Sequence, residues 1–368
     1  MQLRGAIPEL LSLMTNIDVL YNKAVALLQQ LIAMPSFSKE EDGTASLIQQ
    51  WFEQHDIIAE RKGNNIYVRS FFFDNAKPTY LLNSHHDTVK PANGYTNNPF
   101  EATVAKGKLY GLGSNDAGGP LVSLIVTFLH FYKEENLPFN LIIAATAEEE
   151  ISGVNGISSL WRELGAINGA IVGEPTLMQM AVAERGLMVV DAITKGISGH
   201  AARNEGENAI YAALKDIEWI RLYEFEKISE FLGKVSMNVT VIETENKAHN
   251  VVPDVCKFTI DIRLNEFFTH EEVLEILKQN LSASISPRST RLRSSVIEMN
   301  HPLVESGTQL GLNSYGSPTL SDKALMPFPA LKIGPGDSAR SHSADEFIFL
   351  DEIKEAIGKY IALLNGLK

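Results

Sequence analysis

Little in this chain points toward an oxidising compartment, a membrane or a nucleic acid. Among 368 residues there is one cysteine, Cys256, so no intramolecular disulfide can form and a reducing compartment is expected. It lies in the alternating run Val255-Cys256-Lys257-Phe258, where a buried strand thiol is expected rather than a nucleophile. No apolar stretch reaches the roughly 20 residues needed to cross a bilayer. The N-terminal residues lack the basic segment, apolar core and small-residue cleavage site of a secretory leader, so secretion is not expected. Basic charge is scarce as well. With 32 Lys and Arg against 45 Asp and Glu, the net charge is -13, and no excess exists to displace counterions from phosphates. The short group Arg288, Arg291 and Arg293 reads as a solvated strand edge. Neither a GxGxxG run nor a P-loop lysine pattern is present. What is left is an acidic chain of ordinary globular composition, 45% hydrophobic and 21% charged. It is expected to be soluble and cytoplasmic, with more than one core.

Apolar runs alternate with helical periodicity along the first half. Leu20, Ala24, Leu27, Leu28 and Leu31 mark a helix interrupted at Pro35, and Ser38 with Glu40 and Glu41 reads as the start of another. Asn65 to Phe72 and Thr79 to Ser84 read as strands, and Leu121 to Tyr132 as a helix entered through Gly118-Gly119-Pro120. Asn140 to Thr146 is uninterrupted and apolar, as expected of a strand buried on both faces. This alternation implies a largely parallel sheet, in which functional residues gather beyond the carboxyl ends of the strands. From about Met180 the texture changes to strand Val182 to Thr194, helix Asn208 to Phe225, strands Val235 to Ile242 and Val255 to Leu264, helix Glu271 to Leu281 and strand Arg291 to Met299. That order, β-α-β-β-α-β, is a ferredoxin-like split unit. Strand-helix texture resumes after Pro302 with Ala330 to Ile333 and a terminal helix, Leu350 to Leu364.

Five groups of acids and histidines stand at the ends of apolar runs: Ser84-His85-His86-Asp87, Gly113-Ser114-Asn115-Asp116, Ala147-Glu148-Glu149-Glu150, Gly173-Glu174-Pro175 and Ser341-His342-Ser343. Alone, each has a bland reading; Glu174, for instance, is an ordinary turn glutamate. Together, at equivalent positions, they point to side chains converging on metal. Imidazole is the commonest metal ligand, and a nearby carboxylate orients it. His85 and His86 compete for that role, and the His-x-Asp spacing favours His85. The glycines around Asp116 permit close backbone approach. Three adjacent glutamates repel one another and raise at least one pKa. A cation neutralises one and leaves a neighbour free as general base.

The combination resembles the zinc-dependent amidohydrolases that include acetylornithine deacetylase, succinyl-diaminopimelate desuccinylase, aminoacylase, tripeptidase and glutamate carboxypeptidase. It is carried by Leu31-Ile32-Ala33-Met34-Pro35-Ser36-Phe37-Ser38, the five groups above, Gly199-His200, Asn250-Val251-Val252-Pro253, Asp261-Ile262-Arg263 and Gly334-Pro335-Gly336-Asp337. The resemblance implies an α/β fold: a mostly parallel-sheet catalytic domain of the zinc-exopeptidase type, residues 1–179 and 299–368. Inserted in it is a ferredoxin-like α+β lid and dimerisation domain, residues 180–298. It implies two zinc ions, with cobalt or manganese as substitutes, bridged by Asp116. His85 and Glu174 would complete one site, Glu150 and His342 the other. Glu149 would be the general base, Asp87 the orienter of His85, and the peptide after Asp116 cis. His200 would steady the oxyanion, in some members across a homodimer interface, and Arg263 and Asn250 would bind the substrate carboxylate. A guanidinium fork suits that last task. Three departures stand out: Glu148 replaces the usual Asp, His86 fills the variable position, and Ala117 stands where larger residues are common.

Thr146-Ala147-Glu148-Glu149-Glu150-Ile151-Ser152 and Ile333-Gly334-Pro335-Gly336-Asp337 look most like the acetylornithine deacetylase branch. The expected substrate is therefore N-acetyl-L-ornithine, or a related N-acetyl or N-succinyl ornithine or citrulline, in arginine biosynthesis. Succinyl-diaminopimelate desuccinylase and a metallo-dipeptidase are the alternatives. A non-catalytic metal-binding scaffold is the reading from another class. No nucleic-acid or membrane partner is expected.

Overall fold

The computed structural model describes residues 3–367, with side chains from residue 16 onward. The chain forms two compact units. One comprises everything through Val182, with Ile297–Tyr315 and the chain from Ser321 onward; the other is Ala183–Val296 with Gly316–Leu320.

The first unit is built on a twisted sheet. Its strands run in the spatial order Glu60–Lys62, Asn65–Arg69, Asn140–Thr146, Thr79–His85, Gly169–Val172, Ala330–Lys332 and Met180–Glu184. The four from Asn140–Thr146 to Ala330–Lys332 are parallel, and the flanking pairs are antiparallel. Every residue of Asn140–Thr146 and Thr79–His85 is buried, as expected of the uninterrupted apolar run Asn140 to Thr146; the second strand also buries the polar residues Asn83, Ser84 and His85. Leu20, Ala24, Leu27, Leu28 and Leu31 are the buried face of helix Leu3–Ile32. Helix Gly119–Phe131 starts with Pro120 in its first turn, where a missing N–H costs nothing. The terminal helix is Leu350–Asn365.

The helix expected at Ser38 starts later, at Asp42. Lys39 takes a left-handed φ of 76°, which breaks the helical path. The carboxylate of Glu41 accepts Lys39 N at 2.6 Å and Asn64 Nδ2 at 2.9 Å instead of facing solvent in a first turn.

The second unit holds a four-stranded antiparallel sheet in the order Ser236–Glu243, Val255–Leu264, Gly186–Lys195, Ser284–Pro287. Helices Ala209–Leu222 and His270–Asn280 complete the ferredoxin-like unit. Thr269 and Glu272 cap the second helix reciprocally. Val255–Leu264 alternates buried and half-buried residues, and Cys256 lies on the buried face. Two expectations fail here. Val182 to Thr194 is two strands, parted at Arg185. Gly186 lies so close to the backbone of Arg293 and Ser294 that a Cβ there would stand 2.6 Å from Ser294 N. Arg291 to Met299 is not the closing strand either; Ser284–Pro287 takes that place, and only Ser295–Val296 pairs.

Candidate metal centre

His85 is the last residue of its strand and almost wholly buried. Its Nδ1 lies 2.9 Å from the backbone carbonyl of Asp87. A carbonyl only accepts, so Nδ1 carries a proton toward it and Nε2 is the nitrogen that faces the cluster. Against the burial that lowers it, hydrogen bonding to Asp116 and Asp87, with the charges of Glu149 and Glu174, holds the imidazole well above its usual range. His86, the rival, points elsewhere: Nδ1 meets Thr44 Oγ1 and Nε2 meets Asn64 O, both at 2.8 Å. With both nitrogens engaged, His86 is a buried structural residue with no ring nitrogen facing the cluster, and His85 is the histidine whose Nε2 does face it.

Asp87 does more than orient His85, and does that mainly through its carbonyl, since its carboxylate stands 3.5 Å from Nδ1. The carboxylate instead accepts Glu149 N at 3.0 Å, Glu150 N at 3.2 Å and Ser38 Oγ at 2.7 Å. It therefore holds the turn that presents both glutamates, and its bonds with His85 and that turn outweigh burial and keep its pKa low.

The run Glu148-Glu149-Glu150 resolves into three roles. Glu148 has φ of 56°, and its carboxylate accepts Asn155 N at 3.2 Å and Asn155 Nδ2 at 2.8 Å, closing its own loop. Glu150 meets His342 Nε2 at 3.0 Å. Glu149 lies between, its Oε2 3.9 Å from His85 Nε2. Burial, then the charges of Glu174, Asp322 and Glu150, push its carboxyl well above the usual range, against the pull of His85.

Asp116 is the hub. Its Oδ1 is 3.3 Å from His85 Nε2, and its Oδ2 is 3.6 Å from His342 Nε2. Glu174 Oε1 lies 3.8 Å from His85 Nε2. The peptide from Asp116 to Ala117 is cis, as the resemblance implies. Two sets of ligand-type side chains result, His85–Asp116–Glu174 and Asp116–Glu150–His342, each with its donor atoms within 4.8 Å of one another. Tetrahedral ligands about 2.0–2.2 Å from zinc stand about 3.3–3.6 Å apart, close to the 3.0–3.8 Å separations here. One imidazole and two carboxylates per set, sharing an aspartate, fit a pair of divalent cations.

Supporting residues escaped the sequence reading. Glu346 is buried and takes three backbone N–H groups, Gly113 at 3.1 Å, Asn115 at 2.8 Å and Asp116 at 2.9 Å, cradling the loop that carries Asp116. Burial pushes its carboxyl up to about 7. Only its position beside Asp345, shortly after His342, could have drawn notice. The glycine motif does have a visible cause. A Cβ on Gly334 would stand 2.5 Å from Glu174 O, and one on Gly336, whose φ is 89°, 2.5 Å from Asn115 Oδ1. Asn115 in turn pairs with the backbone of Asp337.

The other three expected residues belong to the second unit. His200 is exposed, and its Nδ1 accepts Ala202 N at 3.2 Å. Asn250 O accepts Ala201 N at 3.0 Å, so the two are neighbours. Arg263 donates Nε to Asp261 Oδ1 at 2.8 Å and Nη2 to Oδ2 at 3.1 Å.

The charge pattern predicts how stability varies with pH once cations are stripped by a chelator. Bonding to Glu150 raises His342 from 6.5 to about 9, and burial raises Glu346 from 4.5 to about 7 and Asp322 from 3.8 to about 6. Each folded value lies above the unfolded one. The stability each contributes is complete below the unfolded value and lost as pH rises through the folded value. Asp87 and Asp116 are shifted down from 3.8, outside this window. The thermal midpoint of the stripped protein therefore falls between pH 6 and pH 9, and zinc flattens the slope by taking the protons' place. A midpoint that rises over this range contradicts the charge assignment.

The sequence pattern described as Peptidase family M20/M25/M40 matches residues 81–366. A succinyl-diaminopimelate desuccinylase of Cereibacter sphaeroides is 28% identical, over 69% of this chain and 71% of that protein. Among solved structures, an M20 family metallo-carboxypeptidase from Sulfolobus solfataricus superposes with a TM-score of 0.71 at 18% identity, over 94% of this chain and 99% of that one. The YXEP protein of Bacillus subtilis, described as a dinuclear metal binding peptidase, gives 0.68 at 15% identity, over 95% and 98%.

Proposed function

The chain belongs to peptidase family M20/M25/M40, and from that premise we propose that it hydrolyses the amide bond of an N-acyl-amino acid, with N-succinyl-diaminopimelate the favoured substrate. The observation that carries the reading is the shared-aspartate cluster with Glu149 beside it, uncommitted to either ligand set. His85, Asp116 and Glu174 would hold one cation, and Asp116, Glu150 and His342 the other. Cations there supply Lewis-acid polarisation of the scissile carbonyl and a water made nucleophilic near neutral pH. Glu149 takes the proton of the attacking water on its carboxylate and returns it to the departing amine nitrogen. Its burial shifts the carboxyl upward, the direction that helps a group which must hold the proton before returning it. Asp87 fixes the turn on which Glu149 stands.

The acyl group moves from acetyl toward succinyl. The motifs suggest the acetylornithine branch, but the Cereibacter sphaeroides relative named above is a succinyl-diaminopimelate desuccinylase. That likeness favours the alternative, and with it lysine rather than arginine biosynthesis in a bacterial cytoplasm. No helix among the described residues is long and apolar enough to cross a membrane. A zinc-supplemented panel of N-succinyl-diaminopimelate, N-succinyl-ornithine, N-acetyl-ornithine, N-acetyl-citrulline and simple dipeptides decides the question. The succinyl diamino acid should lead in kcat/KM by at least about tenfold. N-acetyl-ornithine in the lead would return the acetyl reading, and a dipeptide in the lead would sink the deacylase.

By resemblance, His200 steadies the oxyanion, and Asn250 and Arg263 receive the substrate carboxylate. Arg263 already pairs with the Asp261 carboxylate through Nε and Nη2, and the same two-pronged geometry would suit a substrate carboxylate. Arg263→Ala should raise KM about 10–100-fold, the worth of a charged hydrogen-bond pair, with a smaller change in kcat. Unchanged KM would remove Arg263 from the proposal. Exposed Val241 and Ile242 on the edge strand, with exposed Tyr211, Leu214 and Leu222 on helix Ala209–Leu222, support a homodimer through this unit. Light scattering that returns the mass of one chain would rule it out.

A further inference from the structure

Asp322 opens a short 3-10 turn, Asp322–Leu325, outside every motif that marks the site in the sequence. Its side chain is buried, and one oxygen, Oδ2, accepts two hydrogen bonds: Asn83 Nδ2 at 2.9 Å and Thr146 Oγ1 at 2.7 Å. The donors belong to adjacent parallel strands, with His85 in register with Thr146 and Asn83 with Ala144. Side chains alternate between faces along a strand, so Asn83, His85 and Thr146 share a face. The same oxygen therefore joins the carboxyl ends of two strands. One ends in His85; the other leads, three residues past Thr146, to Glu149. Burial raises the Asp322 carboxyl to about 6 even with both bonds made. An apolar side chain could fill this space without that desolvation cost, so filling space does not account for a carboxylate here.

We infer that Asp322 is a positioning residue. Through Asn83 and Thr146 it fixes the separation of the strand ends that carry His85 and Glu149, and with it the geometry of the cation site and its base. The inference rests on reading that cluster as the hydrolytic centre, but its test begins with zinc alone.

Three variants separate placement from filling. Asp322→Asn keeps an acceptor oxygen where Oδ2 stands. Asp322→Leu removes it at similar volume. Thr146→Val deletes only the donor hydroxyl, and it serves if Asp322→Leu does not fold. The readouts are zinc affinity by competition with a chromogenic chelator, kcat and KM on the best panel substrate, and the thermal midpoint of chelator-treated protein. Asp322→Leu and Thr146→Val should bind zinc about 10–100-fold more weakly and lose kcat by a similar factor, with KM within about threefold. Asp322→Asn should restore affinity and kcat to within about threefold of wild type. Wild-type affinity and kcat in Asp322→Leu and Thr146→Val, with only the midpoint lowered, would make Asp322 a core residue and overturn the inference. An Asp322→Asn as impaired as Asp322→Leu would overturn it too, since charge rather than placement would then matter. Wild-type protein that binds zinc but hydrolyses nothing would sink the functional reading, while the affinity comparison would still decide Asp322.

Discussion

Glu149→Gln is expected to keep its full complement of zinc and to lose kcat by about 10²–10⁴-fold, the range for removing a positioned general base. The size follows from what an amide cannot do. Glutamine fills the same space and accepts a hydrogen bond, but it takes no proton from water and has none to return to the amine. Zinc retention follows from geometry, since Glu149 belongs to neither ligand set, and its Oε2 stands 3.9 Å from His85 Nε2. KM should move less than kcat, because proton transfer is a transition-state event. The readouts are zinc by elemental analysis and turnover on the best panel substrate. Loss of zinc along with activity would make Glu149 a ligand, and near-normal turnover would end its role as base.

Asp116→Ala has the opposite signature. Asp116 is the one residue common to both sets, with Oδ1 facing His85 and Oδ2 facing His342. Removing it takes a ligand from each site and also leaves Glu149, Glu150 and Glu174 to repel one another with less relief. Zinc content should fall from two toward zero per chain and turnover should become undetectable. His342→Ala should cost only one ion, because His342 belongs to one set and is half exposed. An Asp116→Ala that keeps two tightly bound ions would show that the carboxylate does not bridge. Loss of fold is checked by the thermal midpoint, since the loop itself is held by Glu346 through backbone N–H groups that the substitution leaves in place.

Much of the candidate ligand cluster is legible in the sequence for a physical reason. Buried parallel strands are uninterrupted apolar runs, and the sheet delivers whatever follows them to one edge. That is how His85 and the triple glutamate stand out. The ferredoxin-like order is legible from alternation such as that of Val255–Leu264. The less visible residues work through backbone or through buried polar bonds. Asp322, Glu346 and Asn115 grip loops and strand ends, and no periodicity announces a carboxylate that meets main-chain N–H groups more than 200 positions away. The break at Arg185 is hidden because both flanking strands are apolar, and the cause lies in backbone packing around Gly186.

The acyl group is the least legible feature. The stretches that look like the acetylornithine branch are occupied with loop geometry: Glu148 closes its loop on Asn155, and Gly334 and Gly336 make room for Glu174 and Asn115. Residues with those duties serve any branch of the family, so they carry little information about the acyl chain.

Anomalous diffraction at the zinc edge from zinc-loaded crystals tests the shared-aspartate centre most directly. Two peaks about 3.5–4 Å apart are expected, the spacing of two-metal hydrolytic sites. They should flank Asp116, one beside His85 and Glu174 and the other beside Glu150 and His342. A single peak, or peaks that leave Asp116 without contact, would contradict it.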